Sequence, residues 1–178
     1  TQSGIPMAIA MILITGCYLS YLLLQSKYKS GFSAKICHIN KATDCTSVIN
    51  SKQALLFGKI ELTDVCMVFF STLLVTYTIT SSTSLIGLIA ITGTLILPYS
   101  IYVQAVVLKK WCPLCLGIAT SILILAAITI PSLEVSQLEV SAILVVLFSF
   151  ALSYYASQLI KGSFKNETEL YESRLQYN

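Results

Sequence analysis

The sequence predicts an all-α integral membrane protein with five transmembrane helices, and three observations carry that expectation. Of its 178 residues, 56% are hydrophobic and only 11% are charged, where a soluble domain carries about 25% charged residues. The mean hydropathy is +0.80, and a chain this short has no core large enough to hide so much apolar surface. The apolar residues also gather into five runs of about 18–24 residues, enough to cross roughly 30 Å of hydrocarbon as a helix.

The runs cover Ile5–Leu24, Leu62–Thr80, Leu85–Leu108, Pro113–Ile130 and Val140–Ile160, and Asp64 is the one charged residue within them. So little charge speaks against an ion or proton pathway. Pro6 and Pro113 sit near helix starts, where a missing N–H costs little. Pro98 falls inside the third run and is expected to kink it toward its outer end. Tyr99, Tyr102, Trp111, Tyr154 and Tyr155 lie near span ends and fit interfacial anchors. The first run lacks a basic n-region and a small-residue cleavage site, which argues against a removable signal peptide.

Ser81–Ser84 and Lys109–Trp111 read as short turns, and Pro131–Glu139 as a short polar link. The loop from Gln25 to Glu61 is far longer, with six of the eleven basic residues and two cysteines. A long loop of this kind is usually functional. Residues 161–178 are polar and read as a tail or a linker. The net charge of +3 is spread over the loops and makes no case for a nucleic-acid partner.

Two crossings separate the long loop from the Trp111–Cys112 turn, so both open on one side of the membrane. All ten lysines and the arginine fall on that side too. The positive-inside tendency would put it in the cytoplasm. Disulfides persist outside the cytoplasm, and this face is expected to be extracytoplasmic, on a plasma or inner membrane.

Cys112 and Cys115 form the motif WCPLC at the start of the fourth run. Three residues apart on a helix, both thiols face the same way and can close into a disulfide. The helix N-terminus favours thiolate, as do the neighbouring Lys109 and Lys110. Cys37 and Cys45 lie in the long loop on the same face. Alone they read equally as a structural staple; beside a second pair they read as a thiol–disulfide relay. A four-thiolate zinc site is the alternative, although the loop spacing is no tight knuckle and a second CxxC is lacking. Cys17 and Cys66 are expected to pack between helices as small apolar residues, and His38 reads as a solvated loop histidine.

The two loop cysteines, the stretch DCTSVINSKQALLFGK and the later WCPLC opening a transmembrane helix together resemble the vitamin K epoxide reductase family. The likeness is closest to its bacterial branch, often fused or paired with a thioredoxin-like domain. It implies a four-transmembrane-helix bundle around a quinone site plus a fifth transmembrane helix. Residues 1–160 would form that membrane domain, with the redox loop at 25–61, and 161–178 would lead toward a thioredoxin-like domain. The resemblance also implies the roles. A thioredoxin-like protein or fused domain delivers electrons to Cys37, Cys37 and Cys45 shuttle them, Cys45 attacks Cys112, and Cys115 meets the quinone. Ser51 matches a serine that the family places beside the redox site.

Two departures bear on the substrate. The tyrosine that vertebrate relatives carry one helical turn after the second CxxC cysteine is Ala119 here. No asparagine matches near the start of the second span, where Thr63 and Asp64 lie. Both point away from vitamin K epoxide and toward ubiquinone or menaquinone, with Tyr102 or Gln104 as the expected polar contact.

Overall fold

The computed structural model describes residues 4–28, 43–56, 60–132 and 140–176. The first span is α1 (Gly4–Tyr28). The described part of the loop holds a short helix α2 (Cys45–Ile49), a 3-10 turn (Lys52–Ala54) and two strands, β1 (Leu55–Leu56) and β2 (Ile60–Glu61). The strands pair antiparallel, Leu55 opposite Glu61 and Leu56 opposite Ile60. The second span is α3 (Leu62–Thr80). The third is built in pieces: α4 (Thr83–Thr94), α5 (Leu97–Tyr102) and a π turn (Val103–Leu108). The fourth is α6 (Pro113–Thr129) and the fifth is α7 (Val140–Gln176).

Four segments, Gly4–Tyr28, Leu62–Thr80, Thr83–Leu108 and Ser141–Glu167, are long and apolar enough to cross a membrane, and the apolar α6 is a shorter fifth. The expected all-α membrane bundle is therefore present. Its third span breaks where Pro98 demands it. Proline lacks an N–H and crowds the carbonyl four residues before it, here Thr94, the last residue of α4. The chain tightens across the break, Leu95 N–H donating to Thr92 O and Ile96 N–H to Gly93 O, before α5 resumes with Pro98 in its first turn.

The fifth span differs most from expectation. The helix passes Ile160 and continues to Gln176, 37 residues in all, or about 55 Å at 1.5 Å per residue. Residues 161–176 thus extend the helix itself. Phe164 is buried, stacking on Tyr28 at 6.2 Å and meeting Tyr21 at 5.9 Å, so the extension is held against α1. The buried face of the membrane part is a row of small residues, Ser149, Ser153 and Ser157, while Leu147, Phe148, Phe150 and Tyr155 stay exposed. Small residues every four positions let two membrane helices approach closely, and α7 packs mainly on α3.

Asp64, the charge within the second run, is not left alone in lipid. Lys161 Nζ lies 2.8 Å from Asp64 and 3.1 Å from Glu61, and Lys27 Nζ lies 2.7 Å from Glu61. Burial works against the Glu61 carboxylate, yet Lys27 and Lys161 hold it below the usual range. This cluster joins the end of α1, the start of α3 and the outer part of α7 on one membrane face.

Glycine permits a close helix approach between α1 and α3. Cys17 and its neighbour Gly16 lie on α1, and a Cβ at Gly16 would sit 2.1 Å from Cε1 of the fully buried Phe70 on α3. Gly16→Ala should therefore destabilise the bundle by about 1–3 kcal/mol, the usual cost of overpacking. Thermal unfolding in detergent checks this, and a second change, Phe70→Leu, should recover part of the loss.

Candidate functional site

The site forms where α6 begins. Cys112 is the N-cap of α6, with extended backbone angles (φ −104°, ψ 105°) and Pro113 at the first helical position. Its sulfur takes the part usually played by a capping hydroxyl, accepting the Cys115 N–H at 3.3 Å. Both thiols are free and buried. The Cys112 thiol is pulled below its ordinary range, first by a hydrogen bond from the Cys115 thiol and also by the N–H groups of Cys115 and Leu114. Burial and the Asp44 carboxylate oppose that shift without cancelling it.

A third sulfur arrives from the loop. Asp44 caps α2: its Oδ1 accepts Ser47 N–H at 3.0 Å, and its Oδ2 accepts the Ser47 hydroxyl. Lys110 Nζ donates to Asp44 Oδ2 at 2.8 Å and to Ser47 Oγ at 3.0 Å. Lys110 was expected to favour the Cys112 thiolate directly; its charge is instead paired with Asp44. Burial raises the Asp44 carboxyl, but the hydrogen bonds from Lys110 and Ser47 win and hold it far below its usual range. The backbone completes the junction. Asp44 N–H donates to Trp111 O at 3.1 Å, and Thr43 and Trp111 form a parallel bridge. The residue before Cys45 is thus bonded to the residue before Cys112.

Cys45 is fully buried in the same apolar cluster as Cys112 and Cys115. It is held in a disulfide, and the other described cysteines, Cys17, Cys66, Cys112 and Cys115, are free. A disulfide sulfur is no thiolate ligand, so the four-thiolate zinc alternative finds no support in this arrangement. Cys37 and His38 lie outside the described residues.

Gln104 sits under the junction. It is buried, and its Oε1 accepts Cys112 N–H at 2.9 Å while its Nε2 donates to Ser100 Oγ at 3.3 Å. Its carbonyl accepts from Lys109 and Lys110 N–H as the π turn closes. Lys109 takes a left-handed conformation (φ 52°) to end it, a region uncommon outside glycine. Gln104 therefore holds the WCPLC turn rather than lining the cleft. Tyr102 is 55% exposed and faces away from the bundle. Ser51 closes the turn after α2, its hydroxyl donating to Val48 O at 2.8 Å and accepting Ala54 N–H at 3.2 Å.

An apolar cleft of about 570 Å³, open mouth included, lies between the first four spans. Leu23 of α1 borders it, with Leu62, Cys66 and Phe69 of α3. Gly93, Leu97 and Ser100 of the third span and Cys115, Ile118 and Ala119 of α6 complete the wall. Leu62, Cys66 and Phe69 follow helical spacing, a signal that would have put Cys66 on the cleft face. Ser100 stands one turn before Gln104, and no motif marked it.

The Cys115 hydrogen bond gives a measurable sign. In the reduced protein the first thiolate should appear below the ordinary thiol range, followed by absorbance near 240 nm as pH rises. Cys112→Ala should remove that step, and Cys115→Ala should move it upward by removing the thiol donor.

The model of the vitamin K epoxide reductase family matches residues 7–130. That stretch takes in the first four spans, the loop and the WCPLC turn, and leaves α7 beyond it. No curated protein and no solved structure matches the chain. Over two-thirds of its length, with the expected pair of thiols capping the fourth span, the chain belongs to the vitamin K epoxide reductase family of membrane oxidoreductases.

Proposed function

We propose that the protein is a quinone-dependent thiol oxidase that makes disulfide bonds in a thioredoxin-like partner or fused domain. One observation carries this reading: the Asp44 N–H to Trp111 O hydrogen bond of 3.1 Å joins the residues that precede Cys45 and Cys112, and both cysteines belong to one buried cluster. The family supports quinone-linked oxidoreductase chemistry. The lining of the cleft is almost wholly apolar, as suits a quinone ring, with Cys115 in its wall. Ala119 offers no hydroxyl there, which favours ubiquinone or menaquinone over vitamin K epoxide.

A quinone bound in the cleft accepts two electrons and two protons from the dithiol. Cys112 and Cys115 close their S–S bond in that step. The Cys45 thiolate then attacks Cys112 Sγ, breaking the Cys112–Cys115 bond and leaving Cys115 as the thiolate. The Cys37 thiolate attacks Cys45 Sγ, frees Cys112 and leaves a Cys37–Cys45 disulfide. A partner thiolate attacks Cys37, and its second thiol resolves the mixed disulfide, so the partner leaves oxidised. Disulfide-bonded Cys45 beside free Cys112 and Cys115 fits the stage after the oxidising equivalent has moved outward. The lowered Cys112 pKa makes this sulfur a good leaving group when Cys37 attacks. The cysteine face is read as extracytoplasmic, a reading supported by the Cys45 disulfide.

The decisive experiment is anaerobic addition of quinone to the reduced protein, with quinol as the product measured. Wild type should yield stoichiometric quinol, and Cys115→Ala should fall to background; turnover retained by that variant would refute Cys115 as the quinone-facing thiol. Cys37→Ala should still pass electrons from a small dithiol and fail with a protein dithiol.

A further inference from the structure

Among the described residues lining the cleft, Ser100 alone carries a hydroxyl. Its hydrogen-bond polarity is fixed by a chain of groups that can each point only one way. A backbone N–H can only donate, so the Gln104 atom facing Cys112 N–H is the amide oxygen. The other end of that amide is then NH2, which can only donate, and it meets Ser100 Oγ at 3.3 Å. Ser100 Oγ therefore accepts from Gln104, and its own proton is left for another acceptor.

Serine and threonine inside helices commonly give that proton to the carbonyl one turn back. Ser71, Thr80, Thr120 and Ser121 all do so here, to Met67, Thr76, Leu116 and Gly117. Ser100 makes no such bond among the described residues. Ser100 borders an otherwise apolar space, with a donor and no acceptor for it among the described residues.

We infer that Ser100 donates a hydrogen bond to a carbonyl oxygen of the ligand in this cleft, with Gln104 as the positioning residue that sets its polarity. This rests on the quinone-reductase reading above and deepens it by naming the group that holds a quinone carbonyl. Because the same Gln104 amide holds Cys112 N–H, the hydroxyl and the WCPLC turn share one rigid support. The carbonyl oxygen at Ser100 is where negative charge grows as electrons arrive, so the donor serves both binding and reduction.

The test compares wild type, Ser100→Ala and Ser100→Thr, with ubiquinone-1 as acceptor. The kcat/KM for the quinone should fall about 3- to 10-fold in Ser100→Ala, the range of one neutral hydrogen bond, and Ser100→Thr should recover most of it. Oxidation of the same dithiol by diamide should be unchanged in all three. Infrared difference spectra should show one carbonyl stretch of bound quinone lowered in wild type and restored in Ser100→Ala. Equal kcat/KM in wild type and Ser100→Ala, or no lowered carbonyl stretch in wild type, would overturn the assignment while leaving quinone reduction standing. Failure of wild type to reduce quinone would instead overturn the parent reading and this one with it.

Discussion

A backbone hydrogen bond, from Asp44 N–H to Trp111 O, joins the loop that opens α2 to the turn that opens α6. Cys45 lies on the loop side of that junction, and Cys115 borders an apolar cleft between membrane helices. Thiol–disulfide exchange requires sulfur to reach sulfur, and these groups lie far apart in sequence. The Lys110–Asp44–Ser47 network fastens the same junction through side chains. With α2 docked in this way, Cys45 and Cys112 fall into one buried cluster.

Beneath the junction, one side chain couples the turn to the cleft. Gln104 is buried and hydrogen-bonded at its carbonyl, its Oε1 and its Nε2. The π turn from Val103 to Leu108 widens the helix by a residue per turn, as such turns often do at functional sites. Gln104 is buried while Tyr102, two positions earlier and on the opposite helix face, is exposed. Farther from the chemistry, the Lys27–Glu61–Lys161–Asp64 cluster ties α7 to the helices that border the cleft. The fifth helix thus supports the wall without lining it.

The spans were legible because lipid permits so few solutions: each run had to become a helix with its backbone bonds satisfied internally. Pro98 was legible too, since a missing N–H acts locally. The WCPLC pair could be placed at a helix start because proline and cysteine suit the first turn and its cap. The length of α7 was hidden, because Lys, Glu and Gln after Ile160 read as polar whether coiled or helical; the stacking of Phe164 on Tyr28 is a tertiary contact. Tyr102 and Gln104 lie two positions apart, which puts them on opposite faces of a helix; the sequence did not say which face turns inward, and packing buries Gln104. Cys66 looked like packing alone until α3 and α6 were seen to share a cleft. Cys37, a central residue of the relay reading, lies outside the described residues.

The central claim is that Cys45 Sγ and Cys112 Sγ meet. A protein carrying Cys37→Ala and Cys115→Ala leaves each sulfur without its usual partner. Mild oxidation in membranes should join Cys45 to Cys112 in one disulfide, found by mass spectrometry of the linked peptides. Recovery of both cysteines as free thiols, or their joining only to Cys17 or Cys66, would contradict the account.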